Sequence, residues 1–424
     1  MKKIIVLSLL TFSSLFASSE LDEIQAQLKQ QRIVMQKLQE RVMELTKADE
    51  ARKKANEKRK EDELDAKMAS SKSSSSFSQN AYLPAIALIL NMSTLGRNVN
   101  NPEYADYAIP GFIKSGDAEL PFNPNKGFNF NYAEVAMSST VDPYFDAFAI
   151  FHLHKDAFEI EEAYVRTRAL PYGFRVKAGK FKSDFGRINS KHQHSWHFDA
   201  QPLIYKALFG PDSISDEGIQ LQWVAPTDTY IMAGIEGMQG TNKQSFGDPD
   251  SNNLYVGYLK SSVDIGENLS LLGGLSIAHG KTVLKKNSNV YGVDLTARDE
   301  LGAYSSVIWQ SEYLYRNKDR ANSTDKQAGL YSELIYNVNH NWATGARYDR
   351  ITKNDTVDLS AYSVDTSNLD RYTALLQYKP FPMSRIRLEY TRDNSKIIAN
   401  RRKSINEVMM TLNVATGAHG AHDY

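Results

Sequence analysis

From about residue 127 to the end, the chain returns repeatedly to segments of ten to thirteen residues that alternate apolar and polar side chains, with aromatics near their ends. Successive side chains of a β-strand point to opposite faces, so each segment offers one face to lipid and the other to a wet interior. Residues 383–393 (MSRIRLEYTRD) show the pattern most plainly, with Ile386, Leu388 and Tyr390 on one face and Arg385, Arg387 and Glu389 on the other. The alternation predicts strands near 82–95, 127–141, 144–154, 157–169, 172–182, 216–225, 227–239, 252–264, 267–279, 288–298, 303–316, 326–338, 340–351, 368–379, 383–393 and 404–416. That makes roughly sixteen, an even number as bacterial barrels require. Connections at 142–143 and 225–228 are tight, whereas 96–126, 183–215, 240–251 and 352–367 are long. Such asymmetry suits a barrel with one end in the periplasm and the other outside. The predicted fold class is all-β, a transmembrane antiparallel β-barrel over 82–424.

Ahead of the barrel the period changes. Leu21, Ile24, Leu28, Met35, Leu38, Val42 and Leu45 follow 3-4 spacing, with Gln31 as a polar seam position, which predicts an α-helical coiled coil within 20–68. Past Leu45 the seam gives way to Asp49 and Arg52 among mixed Lys and Glu, so the helix continues as a solvated one. The plain alternative is a single helix lying on the barrel. Residues 69–81, rich in serine, read as a flexible linker. At the start, Met1, Lys2 and Lys3 precede an apolar run over 4–16 and small residues over 17–19, the order of a secretory signal peptide occupying 1–17.

Composition refines this picture. Lys plus Arg (50) balances Asp plus Glu (50), which leaves no global field to recruit nucleic acid. There is no cysteine, so a metal must be held by His, Asp or Glu. A mean hydropathy of −0.46 is compatible with a barrel, which needs apolar residues only at alternate strand positions. The 23 tyrosines suit strands and membrane interfaces. No GxSxG, HExxH or phosphate-cradling glycine motif is present, and no catalytic role is expected.

The densest chemistry lies in the long connection after 182, where His192, His194, His197 and Asp199 surround Trp196. If the loop is extended, His192 and His194 share a side, and a turn at 195–196 brings His197 or Asp199 to the same ion; imidazole and carboxylate suit zinc. The alternative is an ordinary polar loop anchored by Trp196 and Phe198. His419 and His422 in the tail form a second candidate site, and His152 and His154 share a strand face that can look into the lumen. Lys177, Arg347, Arg371, Arg385, Arg387, Glu389 and Glu407 fall at strand positions compatible with a pore lining, where they would tune ion passage or pair across strands.

The segments PAIALILN (84–91), EIEEAYVRTRAL (159–170), KAGKFKSDFGRIN (177–189), HQHSWHFDAQPLIYKALFG (192–210), GIQLQWVAP (218–226) and ATGAHGAHDY (415–424) resemble the outer-membrane β-barrel proteins often labelled zinc-regulated or TonB-dependent receptor-like. The overall plan is also similar to that of phosphate-selective porins. The resemblance implies an outer-membrane barrel associated with metal uptake, with zinc as cargo or bound ion and no required cofactor. The expected function is a porin-like channel for small solutes or ions in the bacterial outer membrane, contacting lipid, homotrimeric, with the coiled coil in the periplasm. Two alternatives stand beside it: an anion-selective porin, and an envelope tether or adhesin whose coiled coil touches the cell wall.

Overall fold

Alternating segments cannot leave their backbone amides unpaired in lipid, so they pair with one another until the sheet closes. The computed structural model describes residues 84–115, 125–247 and 254–417, together with Lys29, Lys37 and Arg41, which are helical. The signal peptide, the coiled-coil seam, the linker and the tail carrying His419 and His422 lie outside the described residues. Contacts divide the chain after Ser78 into an N-terminal unit and the barrel unit Gln79–Tyr424.

Among the described residues, sixteen antiparallel strands form one closed barrel. They are β1 (Ala85–Arg97), β2 (Gly127–Thr140), β3 (Phe145–Leu153), β4 (Phe158–Thr167), β5 (Phe174–Lys182), β6 (Ser215–Val224), β7 (Tyr230–Met238), β8 (Leu254–Ile265), β9 (Leu269–Lys281), β10 (Asn287–Glu300), β11 (Ser306–Asp319), β12 (Thr324–Asn337), β13 (Trp342–Asp355), β14 (Asp370–Phe381), β15 (Ser384–Asp393) and β18 (Ile405–Gly417). A small hairpin, β16 (Ile397–Ile398) and β17 (Arg401–Arg402), sits between the last two. Each strand pairs with its chain neighbour, and β1 closes on β18 with Asn91 opposite Asn413. TonB-dependent receptors have about twenty-two strands, so the sixteen found here give the receptor part of the resemblance no support.

The outside of the barrel is apolar. On neighbouring strands Leu275, Val293 and Tyr313 pair across the sheet and face outward together. Exposed aromatics gather at both rims: Tyr144, Phe174, Tyr304, Trp342 and Phe381 near the short turns, and Phe128, Phe158 and Tyr255 near the long loops. An apolar band between two aromatic girdles is the surface a bilayer demands.

The packed core lies inside the barrel. Segment 98–126, which begins with α1 (Asn101–Ala105), contributes Tyr107, Ile109 and Ile113. Connection 183–214 contributes Phe185, Ile188 and the whole of α2 (Leu203–Phe209), every residue of which is buried. An all-round buried helix is unusual in a connection and signals that the loop folds into the lumen rather than out into solvent.

Candidate functional site

The lumen loop begins where β5 ends. Gly186 turns it inward at φ +62, with its backbone against the Glu312 carboxylate and the Tyr205 hydroxyl, leaving no room for a Cβ. From there the loop is tied to strands around the barrel. The Gly186 amide donates to Ser276 Oγ on β9 at 2.9 Å and the Tyr205 hydroxyl to Glu312 on β11 at 2.7 Å. The Leu203 amide donates to Asp349 on β13 at 2.8 Å, and Arg371 on β14 donates to the Gln201 carbonyl at 2.6 Å. The Asp199 amide donates to Glu389 on β15 at 2.7 Å, while its carboxylate forms a buried ion pair with Arg387.

The four residues expected to share one ion are split among three places. His197 Nδ1 lies 2.7 Å from Glu333 on β12, and Asp199 is held by Arg387. Each is claimed by its own counter-charge on a different strand, so neither joins the other two. His192 and His194 do come together, because both approach one oxygen of Glu134 on β2: His192 Nδ1 at 3.5 Å and His194 Nδ1 at 3.2 Å. His152 Nε2 on β3 reaches the same oxygen at 3.1 Å. On the far side of the rings, His192 Nε2 stands 2.7 Å from Glu162 and His152 Nδ1 3.7 Å from Glu161, both on β4. Lys182 Nζ in turn contacts Glu161 at 2.5 Å. Burial opposes charge on the His192 ring, but Glu134 and Glu162 outweigh it and push its pKa up to about 10.

The carboxylates of this cluster are what sequence reasoning missed. Strict alternation sends Glu161 and Glu162 to opposite faces. In the structure Ile150 pairs with Glu162 and Phe151 with Ile160, so Glu161 is the extra residue of a β-bulge and both carboxylates turn inward. The run of three glutamates at 159, 161 and 162 was the available signal, since a lipid face tolerates none of them.

Several cavities border the loop, among them one of 810 Å³ at Phe209, Asp212 and Ser213, and two of them lie beside the His/Glu cluster. A 390 Å³ cavity on the long-loop side is lined by residues including Arg97, His152, Glu161, Lys182, Lys206, Asp393 and Glu407. A 470 Å³ cavity on the short-turn side carries Arg166, Lys177, Lys182, Lys191, Lys379 and Arg385 against two carboxylates, Glu162 and Asp184. Lys182 lines both. Loop residues 190–199 line both, with Gln193, Trp196 and Asp199 on the first and Ser190, Lys191, Ser195 and His197 on the second. Of the positions expected to line a pore, Lys177 and Arg385 border the 470 Å³ cavity and Arg371 and Glu407 the 390 Å³ one. Arg347, Arg387 and Glu389 are buried, Arg387 and Glu389 in direct contact with the loop.

No protein-family model matches the chain. It is 38% identical over 386 residues to an "Uncharacterized protein" of Aquifex aeolicus (strain VF5), with 82% of each chain covered, and it belongs to that protein's family. Among solved structures it is similar to the outer membrane channel DcaP of Acinetobacter baumannii, at 11% identity and TM-score 0.52 over 80% of this chain and 99% of that one. It is also similar to the anion-selective porin from Comamonas acidovorans, at 12% and 0.51 over 78% and 99%. A third likeness is to in-vitro folded OmpT of Vibrio cholerae in its trimer form, at 12% and 0.50 over 79% and 100%. The shared feature is the fold, a porin-like closed barrel.

Proposed function

We propose that the chain is a passive channel of the bacterial outer membrane, admitting small hydrophilic solutes and ions by diffusion. The observation that carries this reading is the closed sixteen-stranded barrel whose polar lumen is narrowed, from within, by the loop 183–214. A wall with an apolar belt and a lumen bearing fixed charges performs selection without a reaction: the loop sets the size limit, and the charges set the sign of the favoured ion. The route runs beside β1–β4, from the 390 Å³ cavity past the His/Glu cluster to the 470 Å³ cavity.

Six cations against two carboxylates in the short-turn cavity favour anions over cations. The anion-selective title of the Comamonas porin agrees with that preference. We read the assembly as a homotrimer, as in the OmpT trimer form. β3 to β7 span nine or ten residues against twelve to fourteen for β8 to β14, and the low side of the wall suits burial against a second copy. Reversal potentials of the reconstituted chain under a salt gradient test the channel and its sign together.

A further inference from the structure

We propose that Glu134, His152 and His192 bind one divalent transition-metal ion, of which zinc is the representative, and that this ion locks the lumen loop to the barrel wall. Two ligands come from adjacent wall strands, β2 and β3, and the third from the loop. Their ligand atoms all lie within 4.8 Å of one another, and all three residues are buried.

The spacing around Glu134 matches that of ligands on one metal ion. Ligands bound to zinc at about 2.0–2.1 Å in a tetrahedron lie roughly 3.3 Å from each other. The ligand nitrogens of His152 and His192 stand 3.1 and 3.5 Å from the Glu134 oxygen, on either side of that value. Small movements of the rings place an ion between the three.

The surroundings have the arrangement that supports metal-bound imidazoles, in which the outward ring nitrogen meets a carboxylate that fixes tautomer and orientation. His192 meets Glu162 in this way at 2.7 Å, while Glu161 stands 3.7 Å from the outward nitrogen of His152, an electrostatic neighbour beyond hydrogen-bond reach. Tyr132 stacks on His152 with ring centroids 4.7 Å apart, which limits rotation of that ring. An ion that binds here displaces the imidazole protons, and with both rings neutral the three glutamates and Lys182 carry two negative charges, which one divalent ion neutralises. Two imidazoles and a carboxylate select a borderline ion over magnesium or calcium, which prefer all-oxygen shells.

The site's position gives it a consequence. His152 lines the 390 Å³ cavity and Glu162, the partner of His192, lines the 470 Å³ one, so an ion there ties residue 192 of the loop to the wall beside both. It is distinct from a transported cargo ion, because the ligands are buried and drawn from both the wall and the loop.

The test uses the full chain, purified without an affinity tag, folded in detergent and stripped with a chelator. Titration with zinc chloride is followed by calorimetry at neutral pH. One zinc per chain is expected, with magnesium failing to compete. Glu134→Gln, His152→Gln and His192→Gln should each weaken binding at least tenfold, while the His419→Ala, His422→Ala double variant binds as wild type. X-ray absorption of the zinc-loaded wild-type chain should show imidazole in the first shell, a readout that no variant's folding can confuse. A wild-type chain that binds no zinc overturns the proposal. So does tight binding retained by Glu134→Gln and His152→Gln, or a first shell without imidazole. None of these readouts depends on whether the barrel conducts.

Discussion

His192 Nε2 on the lumen loop stands 2.7 Å from Glu162 Oε1 on the wall strand β4, thirty residues away in sequence. Directly across the same loop, His197 Nδ1 stands 2.7 Å from Glu333 on β12. A loop gripped on both flanks by charged groups inside a barrel is a fixed constriction, and its energetics follow from those grips.

One of these grips is the Asp199–Arg387 pair, in which both side chains are shielded from solvent. Arg387 also donates to the carbonyls of Trp196 and His197 at 3.2 and 3.3 Å. Arg387→Ala leaves Asp199 buried without its counter-ion, which costs about 3–5 kcal/mol. Thermal unfolding followed by circular dichroism should show a lower midpoint, and single-channel records should show a larger, noisier conductance. An unchanged midpoint with unchanged records would mean that the loop is held by its apolar core alone.

On the outer face, Val293 stands midway along β10, flanked by Leu275 and Tyr313. Val293→Arg places a charge at the depth of the hydrocarbon, and the expected destabilisation is about 2–4 kcal/mol at the bilayer midplane. Equilibrium refolding into lipid vesicles measures it. A cost near zero would remove this face from the membrane.

Strand positions are legible in the sequence because lipid on one side and water on the other enforce a period of two over whole strands. The predicted segments 127–141, 216–225 and 383–393 match β2, β6 and β15 to within a residue at each end. The site is legible only in part. Histidines at 192 and 194 stand out in the sequence, but their partner Glu134 lies more than fifty residues upstream, and Asp199 finds Arg387 at a separation of 188. Which loop residue meets which wall residue depends on how the loop folds back, and that is set by the burial of α2 and by Gly186. The bulge at Glu161 adds a local break in alternation that a period of two cannot anticipate.

Lys206 on α2 gives a pH dependence. Burial strips its ammonium of water, and Lys396 and Arg371 repel it further, against the pull of Tyr104 and Asp393; its pKa falls to about 8. The side chain is charged below that pH and neutral above it. Raising pH from 7 to 9 therefore removes a positive charge from the 390 Å³ cavity and moves the reversal potential toward cations. Lys206→Met should abolish that component. The same shift predicts added folded-state stability as pH climbs from about 8 toward 10.5, because the unfolded chain holds this proton longer.

Reversing charge in the short-turn cavity tests its contribution to selectivity. Lys191→Glu with Lys379→Glu converts six cations against two carboxylates into four against four. The permeability ratio of chloride to potassium should fall toward unity or below it. A ratio identical to wild type would place the selecting charges elsewhere in the lumen.

The central claim is that the polar interior of this barrel is a conducting path, and planar-bilayer recording of the purified, folded chain tests it most directly. Stepwise insertions should appear in symmetric salt, with a steady conductance, and a salt gradient should give a reversal potential of the sign for anion preference. A barrel shown by circular dichroism to be folded and inserted, yet electrically silent at every voltage and salt tested, would contradict the account.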